Sequence, residues 1–168
     1  MIGYDARAIA NVILDDADQL GVELTNLAIQ KVLYFCHGWH LVQYQRPLIR
    51  QQFEAWKYGP VISSVYSEFK DSGEHAIGRH RASRLNPKLR MREIALDPID
   101  PDHLTAISRV VSCYARVDAL KLMQMTHVPY GPWAQIWHDR EAANLRMIIP
   151  DEMIFRHFNN LDGSRIFN

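Results

Sequence analysis

The chain has 168 residues, 48% of them hydrophobic, and its 19 Lys and Arg residues balance 19 Asp and Glu residues. This length and apolar fraction exclude a disordered chain and suit one domain with one core. The zero net charge excludes an overall electrostatic field that would draw the protein onto nucleic acid or anionic lipid.

The N-terminal segment does not look like a secretory signal, because it lacks a basic stretch followed by an apolar run and a cleavage site. No apolar run approaches the roughly 18 residues that a membrane-spanning helix needs. Two cysteines, Cys36 and Cys113, lie in apolar helical patterns and are interpreted as small buried side chains rather than as a disulfide. We therefore expect a cytoplasmic protein with no membrane partner.

The first part of the chain predicts two helices, a strand and a third helix. Apolar residues recur at three- and four-residue steps over 6–20, and Gly21 ends that helix. Thr25 is a good N-cap for the second helix, which is apolar on nearly every side and is therefore expected at the centre. The aromatic segment 53–56 predicts a strand, and Pro60 suits the first turn of the third helix.

Residues 74–99 differ from the rest of the chain. Six basic residues and no acidic residue lie between Arg79 and Arg92, which predicts a basic surface loop with a short strand near 94–96. Solvation of this loop is favoured over contact with an acidic protein surface, and nucleic acid comes last because no aromatic side chains are interleaved. Four further helices are expected to start near Asp100, Asp118, Pro132 and Pro150.

These elements predict a mainly α fold. The expected architecture is a single compact domain over residues 1–168, with six or seven helices and a small β-sheet of two or three strands. The basic segment 74–99 is the variable loop of that domain.

The clearest candidate for chemistry is YFCHGWH, residues 34–40, in which His37 and His40 share one side of a helix. With the remote His127 they could bind one metal ion, as in a metal-dependent hydrolase. Core packing is the favoured interpretation, because no CxxC or HExxH motif supports a metal site. Cys36 lies on an apolar mid-helix face, where a nucleophilic thiolate is disfavoured. The sequence therefore predicts no enzyme, no metal and no cofactor.

Two turns, WKYGP at 56–60 and YGPW at 130–133, share the order aromatic, glycine, proline. Core packing would explain both turns. Turns rich in tyrosine and tryptophan also make good interface anchors, because these side chains bury a large area at small entropic cost. The residues expected to bind a partner are Tyr58, Gly59, Pro60, Tyr130 and Trp133.

The motifs, taken in order, resemble the Panacea domain of the SocA-like antitoxins, a family also described as phage-associated. The resemblance covers roughly residues 4–160, with KVLYFCHGWHL at 31–41, FEAWKYGPVISSVYSEFK at 53–70, LMQMTHVPYGPW at 122–133 and IIPDEMIFRHF at 148–158. The signature positions of the family fall at Tyr34, His37, Gly38, Trp39, Trp56, Tyr58, Gly59, Pro60, Val61, Tyr66, His127, Pro132 and Trp133.

The resemblance implies an antitoxin of a toxin–antitoxin system that binds and neutralises a cognate toxin by direct protein–protein contact. It also implies a second route, in which the protein is a proteolytic adaptor that delivers the toxin to a AAA+ protease. The family supplies no catalytic residues to carry over. The alternatives are the hydrolase described above and a DNA-binding autorepressor, against which the zero net charge and the lack of a helix-turn-helix pattern argue.

Most signature residues are expected to define the fold. We expect Gly38 to let another element approach its helix closely, and Trp39 to fill the space beside it. His37 and His40 are expected to hold polar groups where the sheet and the second aromatic turn meet the helix.

Overall fold

The structure is a computed structural model that describes residues 3–138 and 147–167. Its helices are α1 Ala6–Gln19, α2 Asn26–Tyr44, α3 Ser63–Phe69, α4 Pro101–Tyr114, α5 Ala119–Thr126, α6 Pro132–His138, α7 Asp151–Asn159 and the four-residue α8 Ser164–Phe167. Its strands are β1 Phe53–Trp56, β2 Gly59–Val61, β3 Ser83–Asn86, β4 Met91–Ile94 and β5 Ile148–Ile149. The prediction of a mainly α fold with a small sheet is confirmed.

Helix α2 is the centre of the molecule. It packs against α1, α3, α4, α5 and α7 and against strand β2. Thr25 caps it as predicted, since its side-chain oxygen accepts a hydrogen bond from the amide of Ala28. A helix that is apolar on every side needs neighbours on every side, and the surrounding helices provide them.

The three-stranded sheet has the order β2-β1-β5, and both pairings are antiparallel. The prediction that Pro60 opens a helix was wrong, because Pro60 lies in β2 and α3 begins at Ser63. Pro60 faces Ala55, whose amide donates to the carbonyl of Met147 on the opposite side of β1. Pro60 therefore lies where an edge strand needs no N–H donor towards its neighbour.

Strands β3 and β4 form an antiparallel hairpin within the predicted loop 74–99. The expected strand at 94–96 is therefore corrected to 91–94, with a partner at 83–86. The buried side chain of Asn11 in α1 fixes the base of this hairpin: its amide nitrogen donates to the carbonyls of Ala82 and Ala95, and its oxygen accepts from the amide of Ala82. These contacts are long-range and have no local sequence signal.

Ion pairs offset part of the positive charge of this segment. Three of its arginines contact acidic side chains: Arg81 contacts Asp15 and Asp18, Arg84 contacts Asp97, and Arg92 contacts Glu68. The hairpin is therefore held to α1 and α3 by charge as well as by hydrogen bonds. Paired arginines are less available to phosphates, which further disfavours nucleic acid as a partner.

The two cysteines differ in exposure. Cys36 is buried in α2 as predicted, and burial raises the pKa of its thiol. Cys113 is exposed, against the prediction, because α4 buries Ile107, Val110 and Val111 on its other face. Among the described residues, no helix combines the length and apolarity needed to cross a bilayer.

Gly38 permits close contact between α2 and α7, as predicted. A Cβ atom at this position would lie 2.4 Å from the ring of Phe158. The same ring makes an edge-to-face contact with Trp39, with ring centroids 5.2 Å apart. The glycine therefore creates the space into which an aromatic side chain of α7 packs.

We expect Gly38→Ala to destabilise the protein by about 1–3 kcal/mol through overpacking, although alanine is the better helix former. Urea unfolding would measure the change in the free energy of unfolding. In a Phe158→Leu background the same substitution should cost less, because leucine is smaller than the phenylalanine ring. A Gly38→Ala variant as stable as the wild type would contradict this account of the helix contact.

A candidate protein-binding groove

An open groove lies beside the first aromatic turn. Its volume is about 880 Å³, and it is bordered by four parts of the chain: the start of α2, the β1–β2 turn, α3 with the residues after it, and the start of α5. The lining residues are Thr25, Asn26, Leu27, Gln30, Trp56, Lys57, Tyr58, Val61, Tyr66, Lys70, Gly73, Glu74, Asp118, Ala119 and Leu120. A groove assembled from four elements exists only in the folded protein.

Large apolar side chains are exposed along this groove. Tyr58 is 55% exposed, Tyr66 39% and Leu120 60%. The ring of Tyr66 also contacts Trp56, with centroids 5.0 Å apart. Several exposed large side chains lining one groove make it a candidate interaction site, whereas single ones are normal on protein surfaces.

The rim of the groove carries charges of both signs. Lys57 and Lys70 contribute positive charge, and Glu74 and Asp118 contribute negative charge. The ammonium of Lys57 lies 5.2 Å from the centre of the Tyr58 ring, within the range of a cation–π contact. This arrangement suits a partner with an apolar centre and a polar surround more than it suits a highly charged polymer.

A hydrogen bond joins the second aromatic turn to the first. The indole N–H of Trp133 donates to the carbonyl of Trp56 at 2.8 Å. Trp133 also stacks on His127, with ring centroids 3.6 Å apart and an interplanar angle of 3°. Tyr130 is 90% exposed and has a positive φ of 58°, a strained conformation for a residue other than glycine.

Two side chains of α2 fix the β1–β2 turn from below. The ammonium of Lys31 donates to the carbonyl of Pro60 at 2.8 Å, and Gln30 accepts from the amide of Ile62 at 2.9 Å. Lys31 is fully buried, and within the described residues it forms no ion pair with a carboxylate. Burial lowers its pKa to about 7.

Glycine is required at position 59 because the buried lysine approaches it closely. Gly59 has a φ of 99°, and a Cβ atom there would lie 2.6 Å from the hydroxyl of Thr126 and 2.9 Å from the side chain of Lys31. The order Gly59–Pro60 thus places a compact turn over the lysine, with the Tyr58 ring on its exposed side.

The three histidines of the metal hypothesis have different partners. His37 accepts from the amide of Ile49 and contacts Asp151 at the start of α7. His40 contacts the carbonyl of Arg46, so the expectation that it holds the second aromatic turn was wrong. His127 packs against Trp133 of that turn instead. Residues 3–138 and 147–167 include no group of three or more His, Cys, Asp or Glu residues that could hold a metal ion.

The structure separates the predicted partner-binding residues into two groups. Tyr58 and Tyr130 are exposed, whereas Gly59, Pro60 and Trp133 are buried and hold the turns in place. Sequence reasoning did not identify Leu120 as a groove residue, because α5 reaches the groove only through the tertiary fold. It also did not single out Lys31, although a lysine in a helix that is apolar on every side was a usable signal.

The fold defines the class of protein as a small helical domain, and the open groove beside the exposed tyrosines is its candidate surface for binding another protein. The chain belongs to the antitoxin SocA-like family that carries the Panacea domain, whose model matches residues 29–134, from within α2 to within α6. All the signature residues lie in that segment, so the resemblance is confirmed.

A curated relative agrees with this assignment. The chain is 42% identical over 129 residues to Antitoxin SocA of Caulobacter vibrioides (strain NA1000 / CB15N). The alignment covers 77% of this chain and 68% of the relative. No solved structure matches the chain. Family membership supports an antitoxin role and does not favour the hydrolase alternative.

The buried lysine predicts a specific pH dependence of stability. Its folded-state pKa of about 7 lies below its ordinary value of 10.5. Between these values the unfolded chain binds a proton that the folded protein does not, so folding becomes more favourable as pH rises through that window. Below pH 7 the full cost of burying the charge remains.

We therefore expect the free energy of unfolding of the wild type, relative to a Lys31→Met variant, to rise by up to about 1.4 kcal/mol per pH unit across this window. Urea unfolding of both proteins at several pH values would measure it. The exposed Lys88 provides the control, since Lys88→Met should show no such trend. Parallel pH profiles of wild type and Lys31→Met would contradict a lowered pKa at Lys31.

Proposed function

We propose that this protein is an antitoxin that binds its cognate toxin directly through the groove at the β1–β2 turn. The observation that carries the proposal is the presence of Tyr58, Tyr66 and Leu120, all exposed, along one groove. Membership of the SocA-like antitoxin family supports the kind of partner, and the groove supports the place of contact.

The chemistry of the groove indicates what the toxin would present. Two tyrosines and a leucine favour a segment with large apolar side chains. Lysines and acids at the rim favour flanking polar groups that pair with either sign. A stable complex of this kind buries on the order of 1,600 Å² in total, so the surface around the groove would take part. Tyr130 on the linked second turn is the proposed contact beyond the groove.

The mode of neutralisation has two forms with different consequences for the toxin. In direct neutralisation the complex occupies the toxin's working surface, and the toxin persists in the cell. In the adaptor form the complex is delivered to a AAA+ protease, and the toxin disappears. We propose direct binding as the common first step, because both forms require it.

The test is co-expression with the product of the adjacent gene, the expected position of a cognate toxin gene. Wild-type protein should restore growth and co-purify with that product. Tyr58→Ala and Leu120→Ala should each weaken the complex at least about tenfold, measured by calorimetry on the purified proteins. The lifetime of the toxin in cells with and without the protease separates neutralisation by binding from neutralisation by degradation.

Leu85→Ala is the matched control, because Leu85 is 61% exposed, close to the 60% of Leu120, but lies on the β3–β4 hairpin outside the groove. It should bind like the wild type. If the Tyr58 and Leu120 variants are folded, restore growth and bind the toxin with the affinity of the wild type, the groove is not part of the interface. If the product of the adjacent gene is harmless when expressed alone, that product is not the cognate toxin.

A further inference from the structure

The β3–β4 hairpin concentrates exposed apolar side chains on one small element. Five large apolar side chains in the hairpin or just after it are each at least 50% exposed: Leu85, Leu89, Met91, Ile94 and Leu96. None of them lines the groove at the β1–β2 turn. Exposed apolar side chains are normal when they are scattered, but a concentration of them is a candidate binding surface.

The outer edge of β3 is closed by side chains. The amide of Ser83 donates to the carboxylate of Glu68 in α3 at 2.9 Å, and the guanidinium of Arg92 donates to the carbonyl of Ser83 at 3.1 Å. Arg92 also forms an ion pair with Glu68. These contacts use the backbone groups that a further strand would need on this side of the hairpin.

The outer edge of β4 is open. The amide of Ala95 donates to the carbonyl of Ala82 in the chain opposite, so residue 95 directs its amide towards β3. Backbone direction alternates along a strand, and the backbone groups of Arg92 and Ile94 therefore point away from β3. Within residues 3–138 and 147–167 no hydrogen bond reaches these outward groups. An open strand edge beside apolar side chains is a template for pairing with another chain.

The tip of the hairpin, residues 87–90, carries positive charge without a counter-ion. Lys88 and Arg90 form no ion pair in the described part of the chain. The side chain of Asn86 accepts from the amides of Lys88 and Leu89, which fixes the turn that holds both charges. The amide of Asn86 also donates to Glu93, the one acidic residue between 83 and 94. Carboxylates on a partner would complement the tip.

We propose that the open edge of β4 binds an extended segment of another protein, which adds to the hairpin as a third strand and presents carboxylates to Lys88 and Arg90. Backbone hydrogen bonds to Arg92 and Ile94 supply the pairing. Apolar side chains of the segment lie beside Met91 and Ile94. In antiparallel pairing the segment runs towards the tip of the hairpin, so its apolar residues come first and its acidic residues last.

Two other occupants fit this edge less well. Antiparallel pairing of β4 with the same strand of a second copy, centred on the strand, would place Arg92 opposite Arg92 or Glu93 opposite Glu93. Like charges directly opposite one another destabilise a sheet. An anionic membrane is recognised by clusters of about four to eight Lys and Arg residues. Ion pairs already engage Arg84 and Arg92 of the hairpin, which leaves too few for such a surface.

The probe is a synthetic nine-residue peptide in which valine and threonine alternate over the first six residues and glutamate fills the last three. Its matched control carries lysines in place of the glutamates. Each peptide would be titrated into the uniformly ¹⁵N-labelled full chain and followed by NMR. The glutamate peptide should shift the amides of residues 88–96 and bind at least about tenfold more tightly than the lysine peptide.

A charge reversal at the tip identifies the recognising side chains. Lys88→Glu combined with Arg90→Glu should reverse the preference, so that the lysine peptide binds more tightly. Arg79→Glu is the control, because Arg79 is exposed and also lacks an ion pair within the described residues, but it lies before β3 and away from the tip. This variant should keep the preference for the glutamate peptide. The spectrum of each variant reports directly whether it is folded.

Methylation of the peptide backbone tests the pairing itself. Two versions of the glutamate peptide carry N-methyl groups on either the odd or the even residues among the first six. In an added strand only alternate N–H groups face β4. One version should therefore bind and the other should lose binding.

Four results would overturn the proposal. Equal affinity for the glutamate and lysine peptides would remove the role of the tip, and equal affinity for the two methylated peptides would remove strand pairing. An absence of shifts at millimolar peptide would mean that the edge does not bind such a segment. Shifts of residues 88–96 on raising the protein concentration or adding phosphatidylglycerol vesicles, without a response to the peptide, would assign the edge to a second copy or to a membrane. None of these results bears on toxin binding, which the groove variants test separately.

Discussion

The hydrogen bond from the buried ammonium of Lys31 to the carbonyl of Pro60 is the contact on which the aromatic region depends. Strand β2 is an edge strand, and its outward backbone groups must find partners when they are buried. Lys31 satisfies the carbonyl of Pro60, and Gln30 satisfies the amide of Ile62. Two adjacent side chains of α2 therefore replace the missing strand, and they set the position of β2 on the helix.

This arrangement explains why the signature residues of the family mix buried and exposed positions. Gly59 and Trp133 are buried and set the two turns against α2 and against each other, the tryptophan through its bond to the carbonyl of Trp56. Tyr58 and Tyr130 lie on the outside of the same turns. The buried residues hold the exposed ones in position, so that the exposed aromatic surface is largely formed before any partner arrives. Such preorganisation lowers the entropic cost of binding.

Local sequence patterns predicted the elements that local interactions determine. The pattern of apolar residues correctly predicted the helices α1 and α2, and Thr25 was correctly predicted as the N-cap of α2. Gly38 correctly predicted that another element, α7, approaches α2 closely. The hairpin at 83–94 was missed because Asn11 and acidic residues of α1 and α3 hold it, and these lie far away in sequence. The placement of Pro60 in a strand likewise depends on its tertiary partner Lys31. The sequence pointed to Tyr58 as a contact residue through its aromatic turn, whereas Leu120 reaches the groove only through the tertiary fold.

Lysine at position 31 has a cost that a hydrophobic residue would avoid, since burial lowers its pKa to about 7. A methionine of similar length would remove that cost but would leave the Pro60 carbonyl buried without a donor. The lysine stem also packs beneath Gly59, where any larger residue would collide with it. The lysine thus combines two functions at one position: its stem fills the core, and its ammonium fixes the edge strand. Because Tyr58 directly precedes Gly59 and Pro60, the position of its ring depends on the hydrogen bond that Lys31, buried in the central helix, donates to Pro60.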